Sequence, residues 1–364
     1  MRETTQAGSF RTPLRKPGCG FECPYRCSES DEIVVIIDHS RLLEQLSESL
    51  PVARFAGVET ILAVSGGADS VAMLHLVHAL WAHRSSLASS PSTSLKHLAV
   101  VHYNHRLRGE ASDGDQDFVV QLSGSLGLPC VVNEAHESAV PAGNSPTDEA
   151  SLRTARYRFL QQTAEQLGAR YVLVAHTADD NIETMLHHLF RGSGPAGLAG
   201  IAPYRELGQD VMVVRPLMTM RREQLRGMLQ DNGYAWREDG SNQDERYQRN
   251  WLRATLLPLL RQRYPHVDDA LLRTIDSQRM IHDRLEAEAL AWIDRNVEFS
   301  TEEVRCLRGA IDLAKLSAAC RIIWDRMCWP RRDMTNKHLR QIHAVVSQSR
   351  SDSPVKPASF TLPG

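Results

Sequence analysis

Between residues 61 and 232, short apolar runs rich in β-branched residues alternate with longer stretches of helical spacing. The runs are ILAVS (61–65), HLAVVHY (97–103), PCVVNE (129–134), YVLVAH (171–176) and VMVVRP (211–216). The spacing predicts helices over 69–83, 113–126, 148–167, 180–190 and 221–232. Strand and helix in strict alternation form a parallel sheet with helices on both faces. The expected fold class is therefore α/β. From about residue 266 helical spacing takes over and no strand is expected, so a smaller all-helical domain should follow.

The division expected along the 364 residues is an N-terminal extension (1–56), an α/β domain (57–262), a helical domain (263–348) and a last piece (349–364). That last piece reads as linker or as the truncated start of a further C-terminal domain. A helix is expected around Asp38–Leu50, and SSLASSPSTS (85–94) reads as a surface loop. Apolar residues make up 42% of the chain, and no run approaches the roughly 18 needed to span a bilayer. The N-terminus lacks the apolar core of a secretory signal, so a cytoplasmic protein without membrane contact is expected. Seven scattered cysteines do not form a disulfide framework. Cys19, Cys23 and Cys27 are spaced by three, without the second pair that a metal site needs. A net charge of −2 supplies no global attraction to nucleic acid, although nearly all the basic residues are arginines, which suit phosphate and base contacts.

The chemistry concentrates in a few segments. In ILAVSGGADSVAML (61–74) a strand stops at a glycine turn and a helix begins. Gly66 and Gly67 allow close backbone approach, and the helix start offers free N–H groups to an anion. The lysine of the common phosphate loop is missing and Asp69 stands in the turn. A carboxylate repels phosphate, so Asp69 is expected to act through a cation, Mg²⁺ bridging it to phosphate oxygens. In HTADDNIETMLHHLFRGSGPAGLAG (176–200), Asp179 and Asp180 open a helix, and Asp180 and Glu183 share one helical face. A helix cap with a solvated acidic face accounts for the same spacing. His102, Tyr103, Asn104 and His105 stand at another strand's C-terminal end, suited to structural or nucleotide contacts. Arg153 and Arg156 lie on one face of the helix over 148–167, within reach of a phosphate or of Asp148 and Glu149. Arg246, Arg249 and Arg253 recur at helical spacing with Tyr247 and Trp251 between them, as a phosphate-contacting, base-stacking surface does. A solvated basic face with buried aromatics fits that pattern equally.

In order and spacing these segments resemble the tRNA(Ile)-lysidine synthetases of the PP-loop, or N-type ATP pyrophosphatase, superfamily. SGGADS carries only the superfamily. HTADDNIET with RGSGPAGL, RTARYRFL, and EDGSNQDERYQRNWLR carry the narrower likeness. The resemblance implies an adenine nucleotide alpha hydrolase-like, Rossmann-like fold, with 57–262 as the ATP pyrophosphatase domain. It implies a reaction in which ATP adenylates the C2 oxygen of the wobble cytidine in the CAU anticodon of an isoleucine tRNA. Pyrophosphate leaves, and the amine of free L-lysine then displaces AMP to give lysidine. The expected ATP-binding set is Ser65, Gly66, Gly67, Ala68, Asp69, Ser70 and His102, with Mg²⁺ on Asp69. Catalysis is expected of Asp69, Arg153, Asp180 and Glu183, lysine binding of Asp180 and Glu183 jointly, and tRNA binding of Arg246, Arg249 and Arg253. No obligate protein partner is inferred.

Two rival functions fit parts of the pattern. A PP-loop tRNA thiolase needs reactive cysteines or an iron–sulfur cluster, and only Cys130 lies within the catalytic stretch. A non-catalytic nucleotide- or RNA-binding module would not require Asp69, Arg153, Asp180 and Glu183 together.

Overall fold

The computed structural model describes residues 26–27, 33–34 and most of 40–347; outside it lie 52–53, 56, 88–94, 107–108, 135–148, 239–247, 301–302, 308, 330–334 and both ends. The chain divides into two compact units, one of residues 1–181 with 202–250 and one of 182–201 with 251–364.

The first unit is built on a six-stranded sheet. Its strands are β1 (Thr60–Ala63), β2 (Leu98–Asn104), β3 (Cys130–Glu134), β4 (Tyr171–Val174), β5 (Tyr204–Gly208) and β6 (Val211–Val214). They lie in the order β3-β2-β1-β4-β6-β5, and every neighbouring pair is parallel except the hairpin β5–β6. Central β1 pairs Thr60 with Leu98 on one side and with Tyr171 on the other. This is the α/β fold expected from the alternation. The edge strand β5 escaped it, because YRELG is polar and its first three residues are exposed.

Helices cover both faces. On one side α1 (Ser40–Ser49), α2 (Ala68–Leu87), α3 (Glu110–Ser125) and α7 (Arg222–Asp231) enclose a core that includes Leu46, Leu74, Trp81, Val119 and Leu229. On the other, α4 (Glu149–Leu167) sets Tyr157, Phe159, Leu160 and Ala164 against Ile61, Val101, Val172 and Val213. A central sheet buried on both faces explains why β1, β4 and β6 read as unbroken apolar runs. Helices α2 and α4 each lead from one parallel strand to another, so their N-termini lie at the C-terminal ends of the strands, the usual place for a ligand in open sheets of this type.

Helix α5 (Ala178–Leu189) begins in the first unit and continues into the second. Its Ile182, Met185 and Leu186 pack with Leu252, Leu257 and Ile275 in one core of the second unit. That unit also contains α6 (Pro195–Leu198), α9 (Leu257–Arg263), α10 (Val267–Asn296), α11 (Leu313–Arg326) and α12 (Asn336–Val346); the short α8 (Gln248–Trp251) runs into it through a π-helical turn, Leu252–Leu256. The region is helical as expected, with one correction. Strands β7 (Val297–Phe299) and β8 (Val304–Cys306) form a short antiparallel hairpin, each arm only three residues long and too brief for alternation to register. Among the described residues no helix is long and apolar enough to cross a membrane.

Candidate active site

The glycine turn stands between β1 and α2. Gly66 has φ +93°, a region L side chains rarely occupy, and its carbonyl accepts from the Arg237 amide at 2.9 Å. Gly67 has no such conformation; of the two glycines only Gly66 is required by the backbone. The Ser70 hydroxyl donates to the Gly67 carbonyl (2.9 Å) and accepts from the Ser65 amide (3.2 Å), closing the turn onto the first turn of α2. Ser65 Oγ lies 3.2 Å from Ser70 Oγ. With Ala68 as the first helical residue, the loop points the free N–H groups of α2 outward from the sheet. His102, on neighbouring β2, is buried and donates from Nδ1 to the Val64 carbonyl at 2.8 Å. Burial pushes its imidazole below the ordinary range, so it stays neutral and braces the strand end that launches the loop.

Asp69 points to Arg222, whose Nε donates to its Oδ2 at 3.2 Å. The same guanidinium donates through Nη2 to Asp180. Arg222 thus joins the acid of the glycine turn to the acid that opens α5, across 153 and 42 positions of sequence. Burial raises the Asp69 carboxyl above its usual range, and the negative charge of Asp180 adds to this against the opposing pull of Arg222. Asp69 is therefore a carboxylate that further positive charge would stabilise.

The start of α5 is held from several directions. Asp180 accepts from the Thr177 amide (2.8 Å) and hydroxyl (2.9 Å), a reciprocal N-cap. The Ala178 amide donates to the Met220 carbonyl at 2.9 Å. Asp179 accepts from Arg221 through Nε (3.1 Å) and Nη2 (3.0 Å) and from the Arg222 backbone amide (2.9 Å). Burial alone would raise its pKa; the Arg221 hydrogen bonds and the Arg222 amide outweigh that and hold it below the usual carboxylate range. So Asp179 caps α7 while Asp180 caps its own helix. The acidic pair does perform capping, as its spacing allows, and Asp180 carries an ion pair as well.

One turn along, Glu183 is buried in the second unit, its side chain 3% exposed. It accepts from Arg253 Nε and Nη2, both at 2.9 Å, a bidentate pair. Arg253 lies in the π-helical turn, a distortion common at functional positions. Its charge is therefore turned to Glu183. Arg249, in the first unit, is exposed, and Arg246 lies outside the described residues. Arg153 is exposed on α4, its guanidinium 5.1 Å from the centre of the Tyr157 ring.

Arg221, Arg222 and Arg237 were not singled out by motif. One signal was available: RREQL places two cations at a helix N-terminus, against the helix dipole. Such a placement calls for acidic partners from elsewhere. Among the described residues no three His, Cys, Asp or Glu side chains gather as a metal site.

Residues 38–260 match the family of PP-loop domains. A tRNA(Ile)-lysidine synthase of Rhodopirellula baltica is 39% identical over 320 residues, covering 81% of this chain and 81% of that protein. One from Thermotoga sp. is 31% identical over 243 residues, 67% of this chain and 55% of the relative. One from Thermus thermophilus is 38% identical over 231 residues, 64% of this chain and 41% of the relative. The chain thus spans about half the length of several curated relatives it matches. Among solved structures, the U34-tRNA thiolase NcsA from Methanococcus maripaludis with its 4Fe–4S cluster superposes with a TM-score of 0.52 at 13% identity, over 66% of this chain and 78% of that one, a likeness of fold. By the glycine turn, its matched domain and the extent of the Rhodopirellula match, the chain belongs to the tRNA(Ile)-lysidine synthase family of PP-loop proteins.

Proposed function

We propose that this chain joins L-lysine to C2 of the wobble cytidine in the CAU anticodon of an isoleucine tRNA, consuming ATP and releasing AMP and pyrophosphate. The observation that carries the reading is Arg222 bridging Asp69 of the glycine turn to Asp180 at the start of α5. The pair couples a phosphate-binding helix start to an acid suited to an ammonium group.

In the first step the cytidine C2 oxygen attacks the α-phosphorus, and the α–β bridging P–O bond breaks with its electrons going to pyrophosphate. The leaving group carries concentrated negative charge. Backbone amides at Gly66, Gly67 and Ala68 with the Ser65 and Ser70 hydroxyls are assigned to cradle it. Asp69 fits a Mg²⁺: Oδ2 faces Arg222, whereas Oδ1 has no hydrogen bond among the described residues, and burial beside Asp180 makes added positive charge favourable. When bound, Mg²⁺ supplies charge neutralisation for the departing pyrophosphate. His102 supports the ATP site through the Val64 carbonyl. Arg153 is assigned to the phosphate of the adenylated intermediate.

In the second step the lysine ε-nitrogen attacks C2, the C2–O bond breaks, and AMP departs. Near pH 7 only about one such amine in 2,500 is neutral. A carboxylate beside the ammonium both binds it and accepts its proton as the C–N bond forms. Asp180 and Glu183 are assigned to this work jointly. We assign the RNA to Arg249, with Arg246 beside it in sequence, and to the helical region, and divide the chain as extension 1–56, catalytic domain 57–262, helical domain 263–348 and, over 349–364, a linker or the start of a further domain. A cytoplasmic location suits a substrate tRNA. Sulfur transfer fits poorly, since burial raises the Cys130 thiol and disfavours the thiolate.

The deciding experiment is mass spectrometry of anticodon nucleosides after incubation with ATP, lysine and unmodified CAU-anticodon isoleucine tRNA. Lysidine is expected. Unchanged cytidine with an active, ATP-binding preparation refutes the reading.

A further inference from the structure

On the α4 face of the sheet, three guanidinium groups surround one aromatic ring. Arg205 on β5 lies 4.5 Å from the Tyr157 centroid, Arg153 5.1 Å and Arg156 5.6 Å. Arg215, which follows β6, is 4% exposed; its Nη1 donates to the Ala202 carbonyl at 2.6 Å, and its side chain also interacts with the Tyr157 hydroxyl. Tyr157 is 7% exposed, and its buried hydroxyl interacts with the Arg215 side chain. Neither Arg153 nor Arg205 forms an ion pair with any acid among the described residues. After burial itself, the strongest influences on nearby His176 are the positive charges of Arg215, Arg153, Arg156 and Arg249. Burial would raise the Tyr157 phenol, but the Arg153, Arg215 and Arg156 charges and a hydrogen bond with Arg215 more than cancel this and draw it down. Like charges gathered this closely repel each other, and one bound anion relieves that repulsion. The cluster also grades outward, from buried Arg215 and Tyr157 to exposed Arg153 and Arg205, with Arg205 on the edge strand. A site open at a sheet edge admits a phosphate that is part of a long chain, whereas a small free anion is usually enclosed.

We propose that Arg156, Arg205, Arg215 and Tyr157 form a backbone-phosphate subsite for RNA, next to Arg153, that holds a phosphodiester of the anticodon strand. This rests on the reading of the substrate as RNA. The subsite positions the strand; it takes no part in bond making.

The test uses the full chain and a synthetic anticodon stem-loop RNA with a CAU loop, with dissociation constants measured over a range of salt. Arg205→Ala is expected to weaken RNA binding about five- to eightfold at 0.1 M salt and to reduce the log–log salt slope by about 0.7–0.9, the loss of one phosphate contact. Arg156→Gln, on a different element, should move both quantities the same way, and Arg205→Lys should keep the slope. ATP and lysine dissociation constants should not change. Unaltered RNA affinity and slope in both variants overturn the subsite, as does loss of ATP or lysine binding instead, which assigns the anion to those ligands. No measurable RNA binding by the unaltered chain also overturns it. Lysine incorporation by the unaltered chain is read separately. If it occurs while the variants are silent, the subsite falls and the function stands. If it fails while the variants weaken RNA binding, the function falls and the subsite stands.

Discussion

Acid should loosen the helix behind the glycine turn, and one residue accounts for a measurable part of the effect. His75 is 2% exposed on α2 and stacks on Tyr234 with ring centres 3.7 Å apart and planes 1° from parallel. Burial, assisted by the neighbouring charge of His78, pushes its imidazole from 6.5 down to about 3. The unfolded chain binds a proton there below about pH 6.5, whereas the folded chain does not until far lower. Stability conferred above pH 6.5 is thus lost as pH falls, by about 1.4 kcal/mol per unit. At pH 5 the loss from this one group is about 2 kcal/mol, set by the interval from 6.5 to 5 and insensitive to where the folded value lies near 3. His75→Phe keeps an aromatic ring against Tyr234 and removes the titration. Urea unfolding of both proteins at pH 7.5 and pH 5.0 provides the assay. The buried histidines other than His78, whose charge is coupled to His75, titrate alike in both proteins and cancel. The acid-induced loss should be about 2 kcal/mol smaller in the variant, or roughly 4–8 °C in melting temperature. Equal acid losses in the two proteins would refute the reasoning.

Further expectations concern the site itself. Arg222→Ala should lower ATP–pyrophosphate exchange with cognate RNA by about a hundredfold or more, since one change leaves Asp69 and Asp180 facing each other without their shared cation; full exchange would remove Arg222 from the site. For the buried pair Glu183 and Arg253, a double-mutant cycle with Glu183→Gln and Arg253→Met should give a coupling of about 2 kcal/mol in urea unfolding, below the value for a fully buried pair because Arg253 is 36% exposed; additivity within about 0.5 kcal/mol would mean no coupling. Gly66→Ala meets only ordinary contacts, with Val119 Cγ2 nearest at 3.5 Å, so its cost comes from the backbone at φ +93°. That cost should be about 1–2 kcal/mol in thermal unfolding, with a raised KM for ATP; wild-type values for both would show that the turn relaxes.

Local grammar was enough for much of this protein. Apolar runs alternating with helical spacing determined the parallel sheet, because a strand buried on both faces has to be apolar throughout. The turn at residues 65–70 was legible because glycine, small hydroxyls and a helix start are neighbours in sequence. That Asp180 and Glu183 share one helix was legible for the same reason, being three residues apart. The polar edge strand β5 and the three-residue hairpin β7–β8 were not, since their formation depends on the partner strand and not on their own pattern. Which cation each acid holds was decided only by the tertiary structure. Arg222 is 153 positions from Asp69, and Arg253 is 70 from Glu183. No periodicity reports a contact across such intervals. Tyr157 likewise gathers guanidinium groups from α4 and β5, elements with no common sequence signal, so the concentration of charge around it exists only once the sheet has closed its edge.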